Sequence, residues 1–510
     1  MTLNLPRLLV VLGFMLFAPG CATGVPMGAL DEGGADGGDS DTIDAGDLDE
    51  YEPPPAGTAI LYVARHGSNE SEGDEPSAPL RTIQYAIQKA RLCEPAPCEV
   101  HIASGEYDGA LTLVSGVHLR GSYQQDFSAP SPAYERTFIT SDAGRTVRAE
   151  GLRARTELGG LTIRGADWSA LNNSSSSFAL YIVQSEDHLH LVDVVVEGGR
   201  GARGAHGRSG AAESCDARGG RGGIATGDQC QFDTAASGSA GGDPTSGGAP
   251  GGTGSSQNCG NATCPAVGGD GISNGASGSP GGNGGEGMAA SPATNNTGAF
   301  DGLIWSPPLG IEATRGRHGT GGGGGGAGGT KRIHACFGCS SVRGGRGGDG
   351  GAGGCGGGPG ESGAPGGASF AIFIAEASVH YTGLRIVGGV GGDGGDGGEG
   401  HSGLAGSADG SRGREDRNTK KCGAINYHSG AGAHGGAGGA GGAGGSGAGG
   451  AGGPAFGVVT LGSGTRILPH EGSPEMNLVA GQAGRGGRGA AGTIPSSDGP
   501  DGRVAHRYSF

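Results

Sequence analysis

Of 510 residues 122 are glycine, more than three times the ordinary share of about 7%, and aromatic residues make up only 5%, so one ordinary hydrophobic core cannot organise the chain. Proline numbers 26 and the glycine phase moves between GGx and GxG, which excludes a collagen triple helix with its strict phase and abundant imino acids. A net charge of −16 argues against a nucleic-acid partner, because phosphate neutralisation needs clustered cations.

The first 21 residues carry a single Arg7, an apolar run from Leu8 to Ala18 and small residues before Cys21. The run is too short to cross a bilayer. It resembles a bacterial lipoprotein signal peptide, with Ala18, Pro19 and Gly20 in the lipobox and Cys21 as the lipidated residue. That resemblance implies an extracytoplasmic protein on the outer membrane or cell surface, held to the membrane by an N-terminal lipid; the competing reading is a soluble secreted protein cut nearby. Residues 22–57 follow as a linker, with ten acidic residues and no basic one between Asp31 and Glu52. Self-repulsion and the lack of apolar side chains predict an extended, disordered segment.

Residues 58–125 form the first folded module. Strands are expected at Ile60–Ala64, Glu99–Ala103, Leu111–Val114 and Val117–Gly121, each bounded by turn residues. A short helix is expected between the first two, since Ile83, Ala86, Ile87 and Ala90 share one face and Pro79 marks the entry. The segments LYVARHGSNE, PLRTIQYAIQKA and EVHIASGEYDGALTLVSGVHLRGSY resemble the module that opens many bacterial right-handed parallel β-helix proteins of the pectate-lyase-like superfamily. The resemblance implies that the helix caps the β-helix; it implies no activity, because that superfamily holds lyases, hydrolases, adhesins and inert scaffolds.

Downstream a repeat emerges. Four strand ends align: Leu161–Gly165, Val194–Gly198, Leu384–Gly388 and Asn477–Gly481. Three strand starts align as well, at Phe178, Phe370 and Phe456. Rungs are therefore expected in 126–198, 370–388 and 456–481, with glycine-rich excursions at 199–369, broken near Phe300–Ile311, and at 389–455, and a glycine-rich tail at 482–510. If each strand end and start belongs to one turn, every tract leaves and re-enters at the same corner, and neighbouring tracts emerge about 4.8 Å apart.

A lone glycine tract is expected to stay disordered, because ordering each residue costs roughly 1–2 kcal/mol while a net hydrogen bond returns about 0.5–1.5. Held side by side, glycine faces approach closely enough to bond as in a polyglycine II bundle. The fold class expected is all-β: a right-handed parallel β-helix with a short capping helix and long glycine-rich excursions, either a polyglycine II bundle or disordered. In that bundle Arg346, Asp349, Ala352 and Cys355, spaced by three, point one way. The composition resembles the glycine-rich part of PE-PGRS proteins, without their helical PE module, and also that of glycine-rich antifreeze proteins.

Eleven cysteines leave an even number once Cys21 is set aside, which suits an oxidising compartment. Local pairing suggests Cys93 with Cys98, Cys259 with Cys264, and Cys336 with Cys339, leaving Cys215 with Cys230 and Cys355 with Cys422; the last would tie one tract to the next. A zinc site at Cys336–Cys339 lacks a second pair at ligand spacing. His101, His118, His190 and His380 alternate with apolar residues and so face away from the core, open to a metal ladder or to plain solvation. The stretch Gly388, Gly389, Gly391, Asp393 resembles the calcium nonapeptide, but Gly395 occupies its apolar position. Asp187, Asp193, Arg164 and Arg385 lie near strand ends without a motif that groups them into a lyase centre. No catalytic residue, metal or cofactor is implied. The reading is a non-enzymatic surface lipoprotein, a scaffold or an adhesin with surface glycans or cell-surface proteins as partners; the alternatives are a glycan-binding or polysaccharide-cleaving enzyme and an ice-binding protein.

Overall fold

Short apolar segments of period two, each closed by a turn residue, stack as successive turns of a parallel β-helix. The computed structural model describes residues 59–93, 98–131, 135–212, 214–215, 218–224, 275–327, 331–333, 340–342, 344–408, 410–413, 419–422, 425–428 and 430–510. Cys21, the signal and the acidic linker lie outside the described residues, as do Cys230, Cys259, Cys264, Cys336 and Cys339.

The described residues open with β1 (Ala59–Val63) and α1 (Ile83–Ala90). The helix buries Ile83, Ala86, Ile87 and Ala90, the face its spacing predicts, over the first turns. The next turn holds β2 (Cys98–Ala103), β3 (Gly105–Asp108) and β4 (Leu111–Thr112). It is followed by β5 (Val117–Tyr123), β6 (Thr137–Thr140) and β7 (Arg145–Glu150), then by β8 (Thr156–Gly159) and β9 (Leu161–Arg164). A long bent strand, β10 (Ser177–Glu197), closes that turn and opens the next. Among the described residues the first long excursion carries two hairpins, β11 (Ala299–Asp301) with β12 (Ile304–Ser306), and β13 (Lys331–Ile333) with β14 (Ser340–Val342). A second bent strand, β15 (Ser369–Val387), precedes the second excursion and its hairpin of β16 (Thr419–Cys422) and β17 (Ile425–His428). The last turns are β18 (Ala455–Leu461), β19 (Arg466–Pro469), β20 (Asn477–Val479) and β21 (Val504–Ser509).

Among the described residues fifteen strands bond into one parallel sheet wound into three faces. The first face stacks Leu61, Val100, Leu119, Leu158, Leu191 and Tyr381 inward. Tyr107, Ile139, Ile163, Val196, Ile386 and Leu478 do the same on the second, and Leu111, Val147, Leu180, Ile372 and Val458 on the third. Continuous apolar columns, one residue per rung, let each side chain cover the next, worth about 1.5–3 kcal/mol per fully buried residue. Between the first and second faces the chain turns on one residue of left-handed backbone: Ser122 (φ 59°), Gly160 (61°), Asp193 (46°) and Gly383 (66°). Glycine adopts this without strain, whereas serine and aspartate accept a modest cost.

The three Phe-led strands stand in register, Phe178 on Phe370 on Phe456, and three of the four aligned strand ends stack as expected. The fourth slips by one residue: Asn477 pairs with Arg385, so Met476, which is buried in the core, stands one place before it in the column of Leu384. The expected tail also differs. Residues 482–503 are a further excursion, and Val504–Ser509 returns as a strand on β18.

The outer side of the third face is apolar too. Phe178 stacks on Phe370 at 4.5 Å, and Tyr181 on Phe373 at 5.0 Å. Arg145 lies 3.9 Å over the Tyr181 ring. This ladder is covered by the β11–β12 hairpin, whose Phe300 stacks on Phe373 at 4.9 Å and whose Trp305 meets Phe370 edge-on at 5.8 Å, and by Phe510 against Phe300 at 4.9 Å. The break near Phe300–Ile311 is thus a return of the excursion to its own scaffold.

Candidate functional site

All long excursions leave after the second face and return to the third. Their first residues remain in ladder, Asp167 with Arg200, Val390 and Gln482, so the β-helix spacing is handed to the tracts. Beyond that point the bonds recur every third residue. Gly391, Gly394 and Gly397 donate to Gln482, Arg485 and Arg488 at 2.8 Å, while Gly392, Gly395 and Gly398 donate to Gly367, Ala364 and Glu361, also at 2.8 Å. A strand that turns successive residues to different neighbours with period three is the polyglycine II geometry.

Where the rare non-glycine residues fall follows from which neighbour each side of a tract faces. In 435–453 the positions Gly438, Gly441, Gly444, Gly447, Gly450 and Gly453 abut the 344–368 segment throughout, and a Cβ on any of them would overlap a carbonyl there. Gly436, Gly439, Gly442 and Gly445 likewise abut 279–288. Past that segment the same phase carries Ala448 and Ala451. The third phase carries Ala437, Ala440, Ala443 and Ser446, then becomes Gly449 and Gly452, where carbonyls of Gly487 and Gly484 press in. The drift of the glycine phase in the sequence is the record of one neighbour giving way to another.

Polar residues at the third position bond amides of the adjoining strand. Asp393 Oδ1 accepts from Arg485 N at 2.9 Å, Asp396 Oδ1 from Arg488 N at 2.7 Å, and Asp349 Oδ1 from Gly222 N at 2.7 Å. Asp501, Asp498, Asn283, Thr320 and His318 do the same for Gly486, Gly489, Ala440, Gly282 and Gly356. A backbone donor at a bundle edge thereby keeps a partner. Arg346, Asp349 and Ala352 are exposed and Cys355 half-buried on one edge, the direction their spacing predicts.

The disulfide expected between successive excursions is instead internal to one. Cys355 is bonded to Cys215, with Cα atoms 5.5 Å apart, replacing the expected partners Cys422 and Cys230. The physical reason is the fold of the first excursion: its early leg, 200–224, lies against its late leg, 344–368, as in Gly347 N to Gly223 O at 3.0 Å. Cys93 and Cys98, expected as a pair, are both thiols in the structure. Burial first, and then the adjacent Cys93, push the Cys98 thiol up to about 12, which makes it a poor nucleophile at neutral pH.

The richest side-chain chemistry lies on the outer side of the first face. Register places Glu99 against His118 and Glu157 against His190 and then His380. Arg120 bridges two carboxylates, Nε at 3.4 Å from Glu99 and Nη1 at 3.0 Å from Glu157. His101 Nε2 lies 2.8 Å from Glu99 Oε2, and its ring stacks on Tyr123 at 4.4 Å. Burial pushes the Glu99 carboxyl up, but the His101 hydrogen bond and the Arg120 charge outweigh it and hold the group below its ordinary value. His118 is only 9% exposed and, among the described residues, its Nδ1 has no hydrogen-bond partner; burial lowers its pKa. His190 stacks on His380 at 5.2 Å and is lowered to about 4 by burial, Arg155 and His380. The column brings three of the four singled-out histidines together, with His101 in the adjoining one. Among the described residues no group of three or more His, Cys, Asp or Glu is placed to hold a metal ion.

The carboxylates and arginines near strand ends are dispersed. Arg164 pairs with Glu197 at 2.6 Å, Asp193 with Arg136 at 3.3 Å, and Asp187 with His380 at 3.6 Å, while Arg385 faces outward elsewhere on the second face. Glu99, Arg120 and Glu157 were not anticipated. Their signal is the period-two charge in Glu99-x-His101, His118-x-Arg120 and Arg155-x-Glu157, legible only once the rungs are in register.

No family model and no curated protein sequence matches the chain. A solved structure of a rhamnogalacturonan lyase aligns at 14% identity with a TM-score of 0.15, over 28% of this chain and 39% of that one.

Proposed function

We propose that the chain is a non-enzymatic scaffold or adhesin of the cell surface, anchored by a lipid on Cys21 and presenting a rigid glycine bundle through a parallel β-helix. The observation that carries this reading is the use made of polar side chains in the bundle. Asp349, Asp393, Asp396, Asp498 and Asp501 bond the amides of neighbouring strands rather than converging on a cavity, as groups that build and hold a surface do. Surface glycans or cell-surface proteins are the partners such a surface suits.

The test is a surface-display comparison. Cells bearing the protein should bind glycans or other cells without generating reducing ends, and Cys21→Ser should release it from the membrane fraction. Catalytic release of sugar ends would replace this reading with the glycan-cleaving one, for which the Glu99, Arg120 and Glu157 cluster is the specific observation. Ice binding has less support, because the outer rows carry hydrated charges such as Arg203, Asp393 and Arg485 instead of a flat array of small side chains.

A further inference from the structure

The two ends of the β-helix are built differently. At the start α1 closes the core with Ile83, Ala86, Ile87 and Ala90. At the far end each strand of the last turn, β19, β20 and β21, pairs on one side alone among the described residues. Their other edges present backbone donors and acceptors to whatever comes next. The inward column of Leu111, Val147, Leu180, Ile372 and Val458 ends on Arg507, a charge where every earlier rung has an aliphatic residue.

Arg507 and Arg466 line one cavity of about 270 Å³ with Thr460, Thr465, Tyr508 and Ser509. Among the described residues no carboxylate lines it. Among the described residues neither guanidinium has an ion-pair or hydrogen-bond partner. In a chain of net charge −16, this is a positively charged recess beside an open sheet edge.

We propose that this end is a docking edge for an extended peptide rich in acidic side chains, which adds a strand to β21 and places a carboxylate between Arg466 and Arg507. A free strand edge matches the donors and acceptors of another peptide backbone at strand spacing, which a sugar chain does not offer. Two guanidiniums select a carboxylate by charge-assisted bonding. A second copy meeting end to end would set these arginines against their own counterparts, and like charge disfavours that contact. The inference concerns the β-helix end and stands independently of what the glycine bundle binds.

The probe is a fluorescent ten-residue peptide alternating glutamate with valine, titrated into the full chain, with a lysine–valine peptide and a polygalacturonate oligomer as comparisons. The acidic peptide binds, binding weakens with salt, and the amides of β21 gain protection from exchange. Arg466→Ala and Arg507→Ala each weaken it about tenfold or more, while Arg507→Lys retains much of it; an unchanged melting temperature shows that these variants still fold. Absence of acidic-peptide binding, equal binding of the lysine peptide, or indifference to both alanine variants overturns the proposal. Binding of the oligomer instead, with no protection in β21, assigns the recess to an anionic glycan and overturns it as well.

Discussion

Cys215 and Cys355 are 140 positions apart in the chain, yet their Cα atoms lie 5.5 Å apart across a disulfide. The bond joins the outgoing and returning legs of one excursion, so the closed loop is long and its entropy in the unfolded chain is large. Cys215→Ser, or reduction, is expected to lower stability by about 2–4 kcal/mol, read from denaturant midpoints with and without reductant. Exchange should quicken in the amides of 200–224 and 344–368 before it does in β10 or β15. Equal quickening in both would mean that bundle and β-helix open as one unit.

Two glycine replacements separate steric need from composition. A Cβ on Gly441 would overlap the Cys355 carbonyl, whereas on Gly285 the nearest atom is Arg317 Cδ at 3.8 Å. Gly441→Ala should cost about 1–3 kcal/mol or more through overpacking. Gly285→Ala should be neutral or stabilise by about 0.4–1 kcal/mol, since it restricts the unfolded chain. Similar melting temperatures for the two would contradict the packing described for this bundle.

Acid should destabilise the first face in a defined window. His190 is lowered to about 4 and His118 is lowered as well, burial being the leading cause for each. Between an ordinary histidine value of about 6.5 and the folded value, the unfolded chain holds more protons than the folded one, so stability falls as pH falls. Glu99, held low by His101 and Arg120 despite its burial, adds a loss beginning near the ordinary carboxylate range and completed below its folded value. Denaturant midpoints should drop between about pH 6.5 and 4, and His190→Gln should flatten that slope. A midpoint constant over this range would show that the histidines titrate freely.

Asp396 gives a local prediction. Its Oδ1 accepts from Arg488 N at 2.7 Å, so Asp396→Ala should cost about 0.5–1.5 kcal/mol. The Arg488 amide should exchange faster while those of Gly394 and Gly395, bonded to backbone carbonyls, change little. No change at Arg488 would mean that another group serves that amide.

Much of this architecture could be read in the sequence, because period-two apolar segments ending in glycine recur and because Phe178, Phe370 and Phe456 mark one column. Val504–Ser509 was not legible: its burial is slight, with Val504 39% exposed, and a terminal rung needs little apolar pattern. The slip at Met476 escaped because Gly481 imitates the preceding strand ends while pairing runs one residue out of step. Disulfide partners depend on which leg of an excursion lies beside which, and that is fixed by the path of the glycine tracts, not by cysteine spacing. The Glu99, Arg120 and Glu157 cluster is a product of stacking alone, each member being an ordinary outward residue of its own strand.

The shared corner has a consequence for how such a chain tolerates insertion and deletion. Because neighbouring strands meet every third residue, adding or losing a whole triplet lengthens or shortens an excursion by one turn and leaves each contact in phase. A single added residue rotates everything beyond it by a third of a turn and drives a methyl group or a carboxylate into a carbonyl, as at Gly447 or Gly450. The bundle therefore has a reading frame of its own, written in backbone sterics, and its size is free to vary in steps of three while the β-helix beneath it stays the same.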